Sequence, residues 1–528
     1  MADVTEKEEK IGTAAPAPVD GVRLAKNAAF NFVGQLLPLL AGVALIPYIV
    51  RGLGPERFGM LGIIWAVLGY FSLMDLGMGR ATTKFLAEWL AQGKTHQISG
   101  MVWSSIILQI LLGAVGGGII AILTPVLVDR VLKTPASLVV EARTAFYILA
   151  AALPAILAMN GLRAVLEGCQ RFDLTNLLRI PSSTLIFVIP AIAIAAGLRL
   201  PGMVLWMGIS RVGFTFAHGF YCMRALPCLK TRPVLRSSVI FPLLSFGGWV
   251  TVSNAVSPIL LWMDRFMIGS LLSVAMLGYY TAPFEVVTKL WLIPMSLMTT
   301  VYPACSALGT ERMRELQILY SRLIKYIFCL LAPITLVLVV FARPIMAAWL
   351  GPEFAEKSVG PLQILAVGVF INCFVHVPFS FLQGLGRPAL ASKLFLLELI
   401  PYGLLLWWMI EHHGIAGAAA AWSIRVTIEV LLLLWLARRV FSLSSAMDRR
   451  MWTALAALIV TGMAIYATHL FLRRAVVADL TACAIWMAGF AFIVWKWVLD
   501  SVDRASALAV MDPLQRLLGK SFGVAEAD

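Results

Sequence analysis

Of 528 residues, 60% are hydrophobic and 13% charged, against about 25% charged residues in soluble domains, and the mean hydropathy is +0.88. This balance excludes a soluble globular fold, whereas apolar runs of about 20 residues stacked across a bilayer accommodate it. The net charge of +14, from 42 Lys and Arg against 28 Asp and Glu, does not point to nucleic acid, because a polytopic membrane protein keeps basic residues on its cytoplasmic side.

Residues 1–22 are polar, with Pro16 and Pro18, and have no apolar core followed by a small-residue cleavage site. They read as a disordered cytoplasmic tail and not as a signal peptide. Fourteen apolar runs follow, near 27–50, 58–76, 98–124, 142–164, 174–197, 202–225, 240–269, 277–302, 319–341, 359–382, 389–411, 414–437, 452–472 and 480–500. The predicted fold is all-α and polytopic. It divides into a first six-span lobe (23–226), a basic linker (227–239), a second six-span lobe (240–438), two further spans (439–500) and a C-terminal tail (501–528) without a recognisable domain. The loops between spans are short, so no soluble catalytic or nucleotide-binding domain is inserted.

When loops are assigned alternately from a cytoplasmic N-terminus, 28 Lys and Arg fall inside and 11 outside. Arg211, Lys289 and Arg425 lie within spans. This asymmetry predicts that both termini are cytoplasmic. Seven cysteines without a CxxC spacing argue against a disulfide framework or a zinc site.

Two segments recur at a shift of 216 residues. Leu61-Gly62 falls on Leu277-Gly278, and LEGCQR at 166–171 falls on LQGLGR at 382–387. At a shift of 214, Arg211 falls on Arg425. Spans 1–6 therefore repeat as spans 7–12. Six spans is an even number, so the halves are parallel repeats, an architecture used by transporters that rock about a site between two lobes.

An ionisable side chain at mid-bilayer costs about 2.5–3.5 kcal/mol on insertion scales, so the charges inside spans are the functional candidates. Arg211 has no acidic residue within four positions. Glu285 with Lys289, and Arg425 with Glu429, have i,i+4 spacing, and each reads either as a neutralising helix pair or as part of a cavity. Asp264 and Arg265 interrupt span 7, where an interfacial role and a substrate role are equally open. Asn254 is a softer polar candidate, with Gln35, Gln109, Asn160, Asn372 and His376. No Walker A, HExxH or GxSxG pattern is present, and no acidic pair lies on a long exterior loop. Nothing in the sequence calls for a cofactor.

RGLGPERFGMLG (51–62), LMDLGMGRATTKFLAE (73–88), WMDRFMIGSLLSVAMLGYYTAP (262–283) and LQGLGR (382–387) resemble the signatures of Wzx-type polysaccharide biosynthesis proteins, the lipid-linked oligosaccharide flippases. Their superfamily also contains lipid II flippases and multidrug and toxin extrusion antiporters. The resemblance implies two six-helix lobes, often with two added helices, in a bacterial or archaeal cytoplasmic membrane. It also implies transfer of an undecaprenyl-pyrophosphate-linked glycan to the outer leaflet, with a polysaccharide polymerase and other synthesis proteins as partners. Under it, Arg211, Arg425, Lys289 and Arg265 supply charge for phosphate or acidic sugars. Glu285, Asp264 and Glu429 tune that field or carry a coupling proton. A drug or metabolite antiporter is the alternative and would favour an acidic cavity, whereas the mid-span set shows a small cationic excess. A glycan polymerase or ligase would need the long exterior loop that is missing.

Overall fold

A computed structural model of the chain describes residues 21–73, 78–91, 95–169, 171–230, 248–298, 313–385, 387–441, 449–472, 476–501 and 503–504. Within these, some helical side chains, those of Gln35 and Asn254 among them, lie outside the described residues. So do residues 1–20 and most of the proposed linker and C-terminal tail.

The first lobe comprises α1 (Gly21–Leu73), α2 (Met78–Ala91), α3 (Thr95–Val126), α4 (Val139–Gly168), α5 (Phe172–Ala195) and α6 (Leu200–Ala225). The second comprises α7 (Gly248–Leu271), α8 (Val274–Val287), α9 (Met313–Val340), α10 (Ala342–Leu350), α11 (Pro352–Asn372), α12 (His376–Gly384) and α13 (Pro388–Phe441). The last two spans are α14 (Arg449–Leu472) and α15 (Val476–Ile493).

Helices α1 and α13, of 53 and 54 residues, would each extend about 80 Å if straight, far beyond a hydrocarbon core of about 30 Å. Each bends at a glycine. Gly54 has φ 73° and Gly414 φ 58°, a left-handed geometry that costs a residue with a Cβ but not glycine. Pro55 then occupies the first turn of the new helix, where no backbone N–H is required. With these bends, α1 and α13 each supply two of the fourteen spans. Span 8 is broken differently, since α8 passes into a 3₁₀ turn at Thr288–Trp291 before helical geometry resumes.

The described odd-to-even connections lie at one end of the bundle, which we call the bend end because it carries Gly54 and Gly414. There the lobes meet along α1 and α8. A Cβ on Gly59 would stand 1.9 Å from the Val274 carbonyl oxygen, and one on Gly278 would stand 2.3 Å from the Pro55 carbonyl oxygen. The two helices approach this closely only because neither carries a side chain at these points, the small-residue packing typical of spans in lipid. Around this contact the Lys133 backbone N–H donates to the Gly269 carbonyl (2.9 Å), and Trp349 Nε1 donates to the Val43 carbonyl (2.7 Å). One apolar core is shared by both lobes here.

At the opposite end the first lobe has an apolar cluster of its own, built from residues such as Leu86, Met101, Leu166 and Leu226. The lobes thus share one core that includes the bend end, and α1 still touches α7 further along at Gly69 and Trp262, while the first lobe has a second core of its own at the other end. Helices α14 and α15 rest on α9, with a Cβ position at Gly462 3.0 Å from Leu336 and a small cluster of Phe341, Ile465 and Cys483. The residues that follow are part of the packed structure. Asp503 is 2% exposed, accepts a hydrogen bond from Tyr326 Oη (2.7 Å) and is ion-paired with Lys325.

Candidate functional site

The charged residues that the sequence places inside spans fall into three groups. The first lies on α7 and α8 at the contact between lobes. Asp264 and Arg265 are 0% and 2% exposed. Asp264 accepts from the Arg265 backbone N–H (2.7 Å) and from the Tyr280 hydroxyl. Arg265 Nη2 donates to Glu285 Oε1 (3.0 Å), and its Nη1 reaches across to the Gly62 carbonyl oxygen of the first lobe (3.4 Å). The other Glu285 oxygen accepts from Lys289 Nζ (3.5 Å), so one carboxylate spans two cations. Lys289 is the most open member of the group. Its ammonium lies 5.4 Å from the Phe187 ring of α5, again across the lobe boundary, and it sits in the 3₁₀ turn of span 8, an irregularity of the kind found at hinges.

The second group is enclosed in the second lobe. Arg425 Nη1 donates to Glu429 Oε2 (2.9 Å), one turn along α13, and to Glu398 Oε2 (3.1 Å), on the other limb of that bent helix. All three side chains are below 10% exposed, and the guanidinium stands 5.2 Å from the Tyr402 ring centroid. Arg425 is also within electrostatic range of Asp264, which links the first two groups.

Arg211, in the first lobe, forms the third. Its Nη1 donates to Ser182 Oγ of α5 (2.8 Å), beside a void of about 10 Å³ lined by apolar residues such as Leu149 and Ile156. No carboxylate lies within ion-pair distance of it among the described residues. Arg211 and Arg425 are therefore equivalent in sequence position but not in environment. Arg425 shares two carboxylates, while Arg211 has only a hydroxyl.

Both i,i+4 pairs expected from the sequence form. The small cationic excess does not survive, because it omitted Glu398. Across the three groups, Arg211, Arg265, Lys289 and Arg425 are matched by Asp264, Glu285, Glu398 and Glu429. The balance is uneven in space, with the unmatched cation in the first lobe and one excess carboxylate in the second. Glu398 lies in the middle of span 11 and was legible there as an intramembrane charge, whereas Tyr280 and Tyr402 carried no signal distinguishing them from other aromatics. Asn254 lies outside the described side chains. Outside the spans, burial pushes the Cys169 thiol up to about 11, which keeps it protonated. Among the described residues, no three His, Cys, Asp or Glu side chains converge as a metal site would require.

The sequence matches the family described as "Polysaccharide biosynthesis protein" over residues 24–308 and that described as "MatE" over residues 250–409. A Shigella flexneri protein described as "Putative O-antigen transporter" is 30% identical over 423 residues, covering 79% of this chain and 98% of that protein. Among solved structures, the lipid II flippase MurJ in an inward closed conformation aligns over 89% of this chain and 98% of its own with a TM-score of 0.68 at 13% identity. A multidrug resistance MATE transporter in an inward-facing conformation aligns over 77% and 94% with a TM-score of 0.67 at 18% identity.

Proposed function

This chain belongs to the polysaccharide biosynthesis protein family, and on that premise we propose that it moves a polyprenyl-diphosphate-linked oligosaccharide from the cytoplasmic to the outer leaflet by alternating access. It is an integral membrane transporter of polysaccharide biosynthesis, not an enzyme. A diphosphate-bearing glycan headgroup cannot cross hydrocarbon unaided, and it needs a wet, cationic path while its polyprenyl tail stays in lipid. Both termini are assigned to the cytoplasm by the basic-residue asymmetry of 28 to 11. The bend end, where the lobes pack backbone to backbone, then faces outward.

The observation that carries this reading is Arg211. It is a guanidinium inside a span, bonded to a serine hydroxyl and, among the described residues, to no carboxylate, and so offers positive charge to an anion. Lys289, which shares Glu285 with Arg265, is the more open cation on the second lobe, while Arg265 and Arg425 are enclosed with carboxylates and shape the wall. In cells dependent on this protein, Arg211→Ala should reach normal membrane levels yet cause lipid-linked glycan to accumulate on the inner leaflet. Arg211→Lys should rescue in part, since the charge survives without the planar fork that grips phosphate. Normal export by stably inserted Arg211→Ala would sink the assignment.

Export of a cationic drug or metabolite is the second reading, favoured by the excess carboxylate of the second lobe. Those carboxylates are enclosed and bonded to Arg425, which weighs against their meeting a substrate in this conformation. A polymerase and other synthesis proteins are the proposed partners, receiving the glycan at the outer face.

A further inference from the structure

We infer that Arg179, beside Arg163, forms an entry subsite for the substrate's diphosphate at the cytoplasmic end of α5, the first rung of a cationic ladder that continues through Arg211 to Lys289. This rests on the flippase reading above.

Three observations on α5 lead to it. Arg179, Ser182 and Phe187 follow one another over about 12 Å of the helix, with Arg179 and Ser182 neighbours on one face and Phe187 turned about 140° from Ser182 toward the second lobe. Each meets a cation from a different helix. Arg163 of α4 lies within electrostatic range of Arg179, Arg211 of α6 donates to Ser182 (2.8 Å), and Lys289 of span 8 stands over Phe187 (5.4 Å). Arg179 is also the member with donors to spare. Its Nη2 is buried and has no hydrogen-bond partner.

The local charges make that orphan informative. Among the described residues, the carboxylate within electrostatic range is Glu167, which Arg163 Nε already engages at 3.4 Å, one turn along α4. Among the described residues, Arg163 and Arg179 therefore share a single acid. Two guanidiniums within electrostatic range that share one carboxylate repel each other, and a buried N–H without an acceptor forfeits its hydrogen bond. A dianionic or trianionic diphosphate relieves both, since its oxygens accept from the guanidinium forks while its charge screens the repulsion. An arginine that served only to fix topology would instead place its guanidinium among water or lipid headgroups. From the first rung, the headgroup would pass to Arg211 about one helical turn further in, and then to Lys289, where the second lobe takes part.

The test uses the full chain in phosphatidylcholine nanodiscs, with farnesyl diphosphate as probe and farnesyl phosphate as its single-phosphate control. Wild type should bind the diphosphate at least tenfold more tightly than the monophosphate, with inorganic pyrophosphate competing. Arg179→Gln should lower the diphosphate affinity about tenfold and leave monophosphate binding within threefold. Arg224→Gln, an exposed cation at the same membrane face, should change neither. If Arg179→Gln does not insert, Arg179→Lys serves, and it should cut the diphosphate preference at least threefold. A folded Arg179 variant with wild-type preference overturns the subsite and leaves the flippase reading standing. A wild-type protein that binds both probes equally overturns the flippase reading and the subsite together.

Discussion

Gly62 and Thr281 meet across the boundary between the lobes. A Cβ at Gly62 would stand 3.4 Å from Thr281 Cβ and 2.8 Å from its Oγ1. Gly62 also lends its carbonyl oxygen to Arg265, so one position of the first lobe joins packing and charge on the second.

That geometry suits a disulfide, whose Cβ atoms stand about 3.5–4.5 Å apart. In a background with the native cysteines replaced, a Gly62→Cys, Thr281→Cys pair should oxidise readily and lock the lobes together at the bend end. Export should stop on oxidation and resume on reduction. Full export by quantitatively cross-linked protein would contradict the rocking mechanism.

Arg425 is predicted to be structural first. Arg425→Met alone leaves Glu398 and Glu429 facing each other without their shared cation, and should destabilise the inserted protein by about 3–5 kcal/mol. Replacing all three residues with Met and Leu should recover most of the loss, because an apolar core of similar volume often substitutes for a buried ion cluster. Denaturant titration in mild detergent measures both effects. If the triple variant is as unstable as the single one, the triad is not a self-contained unit.

Asp503 anchors the segment after α15 to α9. Burial opposes its carboxylate, but hydrogen bonds from Lys325 and Tyr326 hold it below the ordinary aspartate range. Its contribution is therefore present above about pH 3.9 and is lost as the pH falls through the lower folded-state value. Asp503→Asn should cost about 3 kcal/mol at neutral pH, with the deficit against wild type shrinking below pH ~3.9. Unfolding curves at pH 7 and pH 3 provide the comparison, and an equal deficit at both would show that the carboxylate charge is not what anchors this segment.

Membrane orientation is tested on either side of α6. A cysteine at Leu198, in the α5–α6 turn, should react with an impermeant thiol reagent added to intact cells. One at Arg224 should react only after permeabilisation. The reverse pattern would invert the topology.

The spans, their fourteenfold count and the i,i+4 pairs were legible in the sequence because each depends on residues close along one helix. Hydropathy over some 20 residues sets a span, and 3.6-residue periodicity brings Glu285 to Lys289 and Arg425 to Glu429 whatever surrounds them. The repeat was visible for a related reason: Leu61-Gly62 and Leu277-Gly278 answer the same local demand for close helix packing. The tertiary structure alone decided which charges are spent. Glu398 reaches Arg425 over 27 residues, Arg265 reaches Gly62 over 203, and Asp503 reaches Lys325 over 178. Arg211 and Arg425 hold matching sequence positions, yet one meets a serine and the other two carboxylates. The compensation of a buried charge comes from side chains on other helices, and no local pattern records which helices those will be.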